Sequence, residues 1–181
     1  MKIEHTPIPD ILVVELDRFG DARGFFMETW NAREFGALGI DATFVQDNHS
    51  RSQKHVLRGL HYQLCQAQGK LVRVASGEIW DVAVDLRRSS PSFGRWVGVK
   101  LEAAVPRAMW IPPGFAHGFL VLSGSADVLY KTTDYYAPEH ERALLWNDPA
   151  IGIAWPLAGA TPVLSERDRR AAPLARAETY A

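Results

Sequence analysis

A chain of 181 residues fits one domain, and folding at this length buries about 70% of the surface of the extended chain. The 20 basic and 21 acidic residues give a net charge of −1, so no global field favours binding to nucleic acid or to an anionic membrane. Cys65 is the only cysteine, which excludes an internal disulfide framework and a cysteine-based zinc cluster.

The start of the chain has acidic residues and prolines where a signal peptide needs a basic patch and an apolar run. No stretch of 18 uninterrupted apolar residues occurs. With a lone cysteine that suits a reducing compartment, these features predict a soluble cytoplasmic protein. We expect a single domain over 1–181, with a core at about 11–156 and a C-terminal segment at 157–181.

Short apolar runs separated by Gly, Pro, Asn and Ser dominate the chain, at the spacing typical of a sandwich or barrel. Within 78–86, period-2 alternation places Trp80 and Val82 on one face and Ile79 and Asp81 on the other, so one face should belong to the core. The pattern predicts an all-β protein with strands at 11–16, 25–29, 43–47, 56–63, 71–75, 78–86, 96–101, 119–122 and 126–133.

Helices are predicted at two capping patterns. The first is Asn31-x-x-Glu34, with Gly39 placed to end the helix about two turns later. The second is Ser165-x-x-Asp168, followed by a short segment that Pro173 should interrupt or end. We therefore expect only a few short helices beside the strands.

Several catalytic signatures are absent. There is no G-x-G-x-x-G, and Gly69-Lys70 does not complete a P-loop, because Leu64 stands at the first glycine position. No serine lies within G-x-S-x-G, and Leu144 replaces the second histidine of H-E-x-x-H after His140. The sequence therefore gives no support to nucleotide hydrolysis, hydride transfer or the standard hydrolase reactions.

A metal-binding cupin would need more ligands than this chain offers. His61 and His117 resemble parts of the two cupin motifs, but Gln63 stands where the second histidine of the first motif belongs. Two histidines make a poor site for zinc or iron, which usually take at least three protein ligands. We expect no catalytic metal.

A series of segments carries a specific resemblance and covers most of the chain. It begins near ARGFFMETW (22–30) and continues through WNDPAIGIAWP (146–156) and LSERD (164–168). Together these segments resemble the dTDP-4-dehydrorhamnose 3,5-epimerase family. The intervening segments, in the same order, are RGLHYQ (58–63), QGKLVRV (68–74), DVAVDLR (81–87), SPSFGRW (90–96), WIPPGFAHGF (110–119) and YKTTDYY (130–136).

The resemblance implies a cupin-like jelly roll, a homodimer, no cofactor, and a thymidine diphosphate-linked 4-keto-6-deoxyhexose as substrate. By residue matching, His61 of GLHYQ is the general base, Asp168 of LSERD is its dyad partner, and Tyr130 of YKTTDYY is the proton donor. Lys70 of QGKLVRV is expected near the keto oxygen. The remaining implied substrate-binding residues are Arg23, Phe26, Glu28, Gln46, Asn48, Arg58 and His117.

Two positions depart from the family pattern. The link between His61 and Lys70 is one residue shorter than expected and lacks the prolines often found there, which leaves the geometry around Lys70 open. Arg167 stands where a lysine is expected, which keeps the charge but changes its geometry. We assign Arg167 no role on the sequence alone.

The implied chemistry needs these residue types. A 4-keto sugar has acidified C–H bonds at C3 and C5, so epimerisation needs a base and an acid on opposite faces of the ring but no redox cofactor. An imidazole accepts a proton near neutral pH, and a carboxylate fixes its tautomer. A cation at the C4 oxygen stabilises an enolate that exists only after deprotonation. Arg23 and Arg58 suit the diphosphate because a guanidinium binds two oxygens at once.

Each of these residues also has a simpler structural interpretation. His61 can be a satisfied strand histidine, and the Asp168 carboxylate can serve only as a helix cap. Arg58 and His61 are three residues apart and face opposite ways in a regular strand, unless a bulge at Gly59 brings them together. The others are a core tyrosine, a turn-ordering histidine and solvated charges, namely Tyr130, His117, Lys70, Arg23 and Arg58.

The sequence thus favours proton-transfer epimerisation of dTDP-4-dehydro-6-deoxy-D-glucose at C3 and C5, giving dTDP-4-dehydro-L-rhamnose for dTDP-L-rhamnose biosynthesis. One alternative is a relative that inverts only one of the two carbons, because both reactions use the same base and acid. Two others come from different classes: a metal-dependent cupin oxygenase and a non-catalytic sugar-nucleotide binder.

Overall fold

The computed structural model describes all residues 1–181, and most of its regular structure is β. Two short helices, α1 (Ala32–Ala37) and α2 (Glu166–Arg169), and two 3-10 turns, Pro138–His140 and Leu174–Arg176, complete it. The strands are β1 (Lys2–His5), β2 (Leu12–Glu15), β3 (Arg18–Asp21), β4 (Gly24–Met27), β5 (Gln46–Gln53), β6 (Leu57–Gln63), β7 (Lys70–Ser76), β8 (Glu78–Asp85), β9 (Trp96–Glu102), β10 (Arg107–Ile111), β11 (Phe115–Val121), β12 (Ser125–Thr132) and β13 (Glu141–Ala143).

The strands form two antiparallel sheets and a separate hairpin. One sheet has the order β1-β2-β10-β7-β12-β5, and the other has the order β13-β6-β11-β8-β9. The hairpin of β3 and β4 pairs with neither sheet. This architecture is a cupin-like jelly roll, which confirms the predicted fold class.

Strand β8 is buried on both of its faces, although alternation suggested a single core face. Ile79 and Ala83 belong to a cluster of 15 buried residues that also draws on strands of the six-stranded sheet. Val82 and Val84 belong to a second cluster, against which Tyr180, the next-to-last residue, packs. The expectation of one core face was therefore incomplete, because the end of the chain covers the outer face of this sheet.

Several strand boundaries differ from the pattern-based prediction. Strand β5 begins at Gln46 rather than at 43 and runs on through polar residues, because its pairing with β12 extends to Gln53. Strand β11 begins at Phe115 rather than at 119, and every residue in it is buried, including His117. The pattern did not predict β1, β3, β10 and β13, which are short and are specified by their ladder partners.

Both predicted helix starts are present. The Asn31 side chain accepts hydrogen bonds from Arg33 N and Glu34 N, at 3.0 and 3.4 Å. The Ser165 hydroxyl accepts one from Asp168 N at 3.1 Å, and α2 ends before Pro173. Neither helix has the length and apolar character needed to cross a membrane.

Candidate active site

A bulge in β6 brings Arg58 and His61 to one cavity. His117 pairs with His61 but Phe119 pairs with Arg58, so a step of three residues in β6 faces a step of two in β11. Gly59 has φ +107°, and a Cβ there would lie 2.6 Å from the carbonyl oxygen of His117. The extra residue reverses the alternation, so the bulge that the sequence left open is present and Arg58 and His61 share a site.

The cavity has a volume of about 280 Å³ and receives side chains from both sheets. Seven of the predicted residues line it: Gln46, Asn48, Arg58, His61, Lys70, His117 and Tyr130. It also contains polar side chains that were not predicted, among them Ser50, Gln63, Gln68, Tyr136 and Glu141.

His61 and Asp168 form a hydrogen-bonded pair at the cavity wall. His61 Nε2 lies 2.6 Å from Asp168 Oδ1, and the imidazole is 30% exposed while the carboxylate is buried. Burial opposes ionisation of Asp168, but hydrogen bonds from His61, Ser165 and Gly59 and the charge of His61 outweigh it and lower the carboxyl pKa. An ionised carboxylate only accepts, so Nε2 carries the hydrogen and Nδ1 of the neutral ring is free to accept a proton.

Lys70 lies at the start of β7 with its side chain buried in the cavity wall. Its Nζ donates to the carbonyl oxygen of His61 at 3.3 Å. Burial lowers the Lys70 pKa to about 8, and the negative charges of Glu141 and Asp81 limit the decrease. A cation with few partners of its own is therefore present in the cavity near neutral pH.

Tyr130 reaches the cavity from β12, in the six-stranded sheet, whereas His61 comes from β6 in the other sheet. Burial raises the pKa of the Tyr130 phenol, and the charge of Arg58 reduces that increase. The phenol therefore stays protonated at neutral pH, on the wall contributed by the opposite sheet from His61.

His117 is held by a second carboxylate, Asp81. His117 Nε2 lies 2.7 Å from Asp81 Oδ1, and both side chains are buried. The other oxygen of this carboxylate, Oδ2, has no hydrogen-bond partner within the chain. The prediction that His117 lines the pocket agrees with this placement, whereas Asp81 was recognised only as one position of an alternating strand.

The polar residues of β5 point into the cavity at every second position. Gln46 Nε2 donates to Asn48 Oδ1 at 2.9 Å, and Gln46 Oε1 accepts from Tyr136 N at 3.1 Å. Arg58 Nε donates to the Ser52 hydroxyl at 2.8 Å. These bonds orient the amides and the guanidinium before any ligand is present.

Three predicted binding residues lie away from the cavity of their own chain. Arg23 and Phe26 belong to the β3–β4 hairpin segment and line a separate surface depression, and Arg23 forms an ion pair with Asp21. Glu28 follows β4 and is exposed. The fold of one chain does not bring these three residues to His61.

Glu141 and Tyr136 line the cavity, although the sequence did not predict either of them, and Arg167 lies beside them. Glu141 Oε2 accepts from the Tyr136 hydroxyl at 2.6 Å and lies 2.5 Å from Arg167 Nη1. In the sequence Glu141 follows His140 in an incomplete H-E-x-x-H, which points to no role, and β13 is too short to show an alternating pattern. No group of three or more His, Cys, Asp and Glu side chains is placed to hold a metal ion.

Comparison with known proteins supports a specific assignment. A sequence profile of the dTDP-4-dehydrorhamnose 3,5-epimerase family matches residues 5–176. A dTDP-4-dehydrorhamnose 3,5-epimerase of Pseudomonas aeruginosa is 59% identical over 181 residues, which covers 99% of each chain.

Solved structures give the same result. A dTDP-6-deoxy-D-glucose-3,5-epimerase of Legionella pneumophila, in complex with dTDP-4-keto-L-rhamnose, superposes with a TM-score of 0.95 at 52% identity, covering 98% of this chain and 94% of that one. A 3'-monoepimerase of Streptomyces bikiniensis, in complex with dTDP-quinovose, has a TM-score of 0.88 at 35% identity, with coverages of 94% and 87%. This chain therefore belongs to the dTDP-4-dehydrorhamnose 3,5-epimerase family.

Proposed function

We propose that this protein epimerises dTDP-4-dehydro-6-deoxy-D-glucose at C3 and C5 and produces dTDP-4-dehydro-L-rhamnose, a step of dTDP-L-rhamnose biosynthesis. One observation carries the proposal: His61 paired with Asp168 lies in one sheet, Tyr130 lies in the other, and Lys70 lines the same cavity. A reaction that removes a proton from one face of a sugar ring and returns one to the opposite face needs a base and an acid on two walls.

In the proposed mechanism His61 Nδ1 takes the proton from C3 or C5, and the C–H electron pair moves into the enolate of the C4 carbonyl. Asp168 fixes the tautomer and stabilises the imidazolium that results. Tyr130 then donates its hydroxyl proton to the same carbon from the opposite face, and the carbonyl re-forms. The tyrosinate then takes a proton from solvent and the His61 imidazolium releases its proton to solvent, which restores both groups, so the cycle needs no redox cofactor.

Lys70 is proposed to stabilise the enolate oxygen. Positioned acid–base catalysis contributes about 10²–10⁴-fold, which is small for a carbon acid, so the enolate needs additional stabilisation. A buried ammonium at the C4 oxygen interacts most strongly once negative charge has developed there. The burial that lowers the Lys70 pKa also strengthens this interaction, because few waters screen the charge.

The nucleotide part of the substrate is proposed to bind along β5 and β6. Arg58 offers a planar fork to the diphosphate, and Gln46 and Asn48 offer amide donors and acceptors beside it. His117, oriented by Asp81, contributes a further polar contact deep in the cavity.

We further propose a homodimer in which the hairpin of one protomer reaches the cavity of its partner. Phe19, Phe25 and Phe26 on this hairpin are 64%, 64% and 69% exposed, an unusual density of apolar surface on a structure that joins neither sheet. Strand β5, beside the cavity, is an unpaired edge that can accept a neighbour. Such an arrangement would supply the predicted Arg23, Phe26 and Glu28 contacts from the second subunit.

We also propose that residues 1–181 form one domain. The segment 157–181 supplies Asp168 as the partner of His61 and packs Ala177 and Tyr180 against the outer face of the five-stranded sheet. Because that face is apolar, the rest of the chain should not stay folded without it. A chain ending at residue 156 should be insoluble or unfolded by circular dichroism, and a folded, monodisperse fragment would contradict the proposal.

We propose a cytoplasmic location because the only cysteine of the chain is a free thiol. Cys65 is an exposed free thiol, which persists best in a reducing compartment. Fractionation of the source cells with an antibody against the protein would test the location, and recovery from an oxidising compartment would refute it.

Proton NMR of the protein with dTDP-4-dehydro-6-deoxy-D-glucose in D₂O tests the reaction. Loss of both the H3 and H5 signals, with appearance of the L-configured product, is expected. Exchange at one carbon only would indicate a single-centre epimerase, like the structural neighbour from Streptomyces bikiniensis. Exchange at neither carbon would contradict catalysis on this substrate and favour a sugar-nucleotide binder.

A further inference from the structure

Glu141 lies beside the proposed base on the neighbouring strand. In the ladder of β13 and β6, Glu141 pairs with Gln63 and Ala143 pairs with His61. Glu141 is therefore the diagonal neighbour of His61 on the same face of the sheet, at a separation of about 7–8 Å that long side chains can shorten. Both side chains line the cavity.

The Glu141 carboxylate is tied to the helix that carries Asp168. Arg167 Nη1 lies 2.5 Å from Glu141 Oε2, and the Tyr136 hydroxyl donates to the same oxygen at 2.6 Å. Helix α2 has only four residues and is not stable by itself. Its side-chain anchors are the Ser165 cap, the contact of Asp168 with His61 and the pair of Arg167 with Glu141.

Glu141 is a charged group of the site. Burial opposes its ionisation, but hydrogen bonds from Arg167 and Tyr136 and the charges of Arg167 and His61 outweigh burial and lower its pKa. The ionisable groups that line the cavity of His61, or are bonded to residues that line it, are Asp168 and Arg167 from α2, Glu141 from β13, Lys70 from β7, Arg58 and Tyr62 from β6, His117 from β11, Asp81 from β8, Tyr130 from β12 and Tyr136 from the segment before β13. Among these groups, Glu141 and Arg167 carry opposite charges and form an ion pair with each other.

We propose that Glu141 and Arg167 form a positioning pair for His61. Glu141 places a negative charge beside the base, and Arg167 cancels that charge while it tethers α2, and hence Asp168, to β13. Neither residue transfers a proton. This inference rests on the proposed function, because it concerns the base of that reaction.

The proposal predicts that replacing Glu141 and replacing Arg167 shift the midpoint of the His61 titration in opposite directions. Glu141→Gln removes the negative charge and leaves Arg167, which disfavours the imidazolium, so the midpoint of the His61 titration falls. Arg167→Gln leaves Glu141 without its counter-charge, which favours the imidazolium, so the midpoint rises. Each movement should be about 0.5–1 pH unit for a partly screened charge at this separation. The double variant, which removes both charges, and Arg167→Lys, which keeps both, should lie close to the unsubstituted protein.

The experiment is an NMR titration of the His61 imidazole in the full-length protein without ligand, with the signal assigned by its loss in His61→Asn. Movement of the midpoint in opposite directions for the two single variants, and its return in the double variant, supports the proposal. Two unmoved midpoints, or movement in the same direction, overturn it, because a pair that only stabilises the fold would not shift a titration. Circular dichroism checks each fold, and if Arg167→Gln is unfolded, the fall expected for Glu141→Gln decides alone.

The same samples separate this inference from the proposed function. If the unsubstituted protein exchanges H3 and H5 but the midpoints do not split, only the positioning pair is wrong. If the midpoints split but no exchange occurs on the substrate, the charge relation stands and the proposed reaction fails.

Discussion

Two histidines on adjacent strands of one sheet, His61 and His117, each pair with a carboxylate, but the two pairs differ in exposure and in where the carboxylate comes from. His61 is 30% exposed and meets Asp168, which is 107 residues away in the chain. His117 is 7% exposed and meets Asp81, which is 36 residues away on the next strand. The first pair depends on closure by the C-terminal segment, whereas ladder register alone forms the second.

The difference shows how the same chemical unit serves two purposes. A base must exchange its proton with a ligand, so it needs an accessible ring nitrogen and a partner that stabilises both protonation states. A buried pair with one fixed hydrogen bond mainly shapes and stabilises the cavity floor. We therefore expect substitutions in the His61 pair to lower turnover and those in the His117 pair to lower stability.

The largest effect is expected for His61→Asn. Without the imidazole, kcat should fall by about 10²–10⁴-fold, because positioned general-base catalysis contributes this much. The side chain is partly exposed and an asparagine amide can still donate a hydrogen bond to the buried Asp168, so the melting temperature should change little. Steady-state kinetics and calorimetry measure both quantities, and a variant with kcat comparable to the unsubstituted protein would show that His61 is not the base.

Replacing each of the two carboxylates with alanine should affect a different property of the protein. Asp168→Ala should lower kcat by about 10²-fold, because the tautomer and orientation of His61 are no longer fixed. Asp81→Ala should cost about 1–3 kcal/mol in the free energy of unfolding, because it leaves a buried His117 nitrogen without a partner. Urea unfolding and kinetics of both variants test this, and equal losses of stability would remove the distinction between the pairs.

The pH dependence of kcat/KM should show that the buried His117–Asp81 pair also affects the charge of Lys70. Its pKa is lowered to about 8, so the ammonium is present below that value and is lost as the pH rises through it. The kcat/KM should therefore decline above about pH 8. Asp81→Asn removes a negative charge that favours the ammonium, so its decline should begin at lower pH. Profiles that coincide for the two proteins would exclude this link between the buried pair and the cation.

Substitutions in the β3–β4 hairpin should have the smallest effect on the two histidine–carboxylate pairs. If the proposed dimer forms through the hairpin, replacing Phe19 and Phe25 with Ser should convert it to monomers and raise KM, while the pH profile stays the same because both histidine pairs remain intact. Light scattering at micromolar concentration measures the mass. Val163→Ser, at another exposed apolar residue, is the matched control. A monomeric unsubstituted protein would refute the proposed assembly.

Much of the fold could be predicted from local patterns. The caps at Asn31 and Ser165 depend on side chains two or three residues from the groups they bind, so the sequence alone reveals them. Strands with clear alternation, such as β8, were predicted within one or two residues. The missed strand β13 has three residues and exists because β6 pairs with it, which no local pattern reports.

The candidate site was predicted through family motifs rather than through alternation. Motif matching named His61, Lys70, Tyr130 and His117, and the structure places all four in one cavity. It did not name Glu141, whose proposed positioning role depends on a cross-strand neighbour and on a charge 26 residues later in the chain.

The sequence by itself determined most of the strands, where two helices begin and, through family motifs, which side chains are the candidates for base, acid and cation. Those properties follow from side-chain chemistry and from interactions over a few residues. Only the tertiary structure decided that Asp168 meets His61, that a bulge at Gly59 turns Arg58 toward the same cavity, and that both faces of β8 are buried. Each of these depends on the register between distant strands or on the path of the last 25 residues, and such long-range packing leaves no periodic signal in the chain.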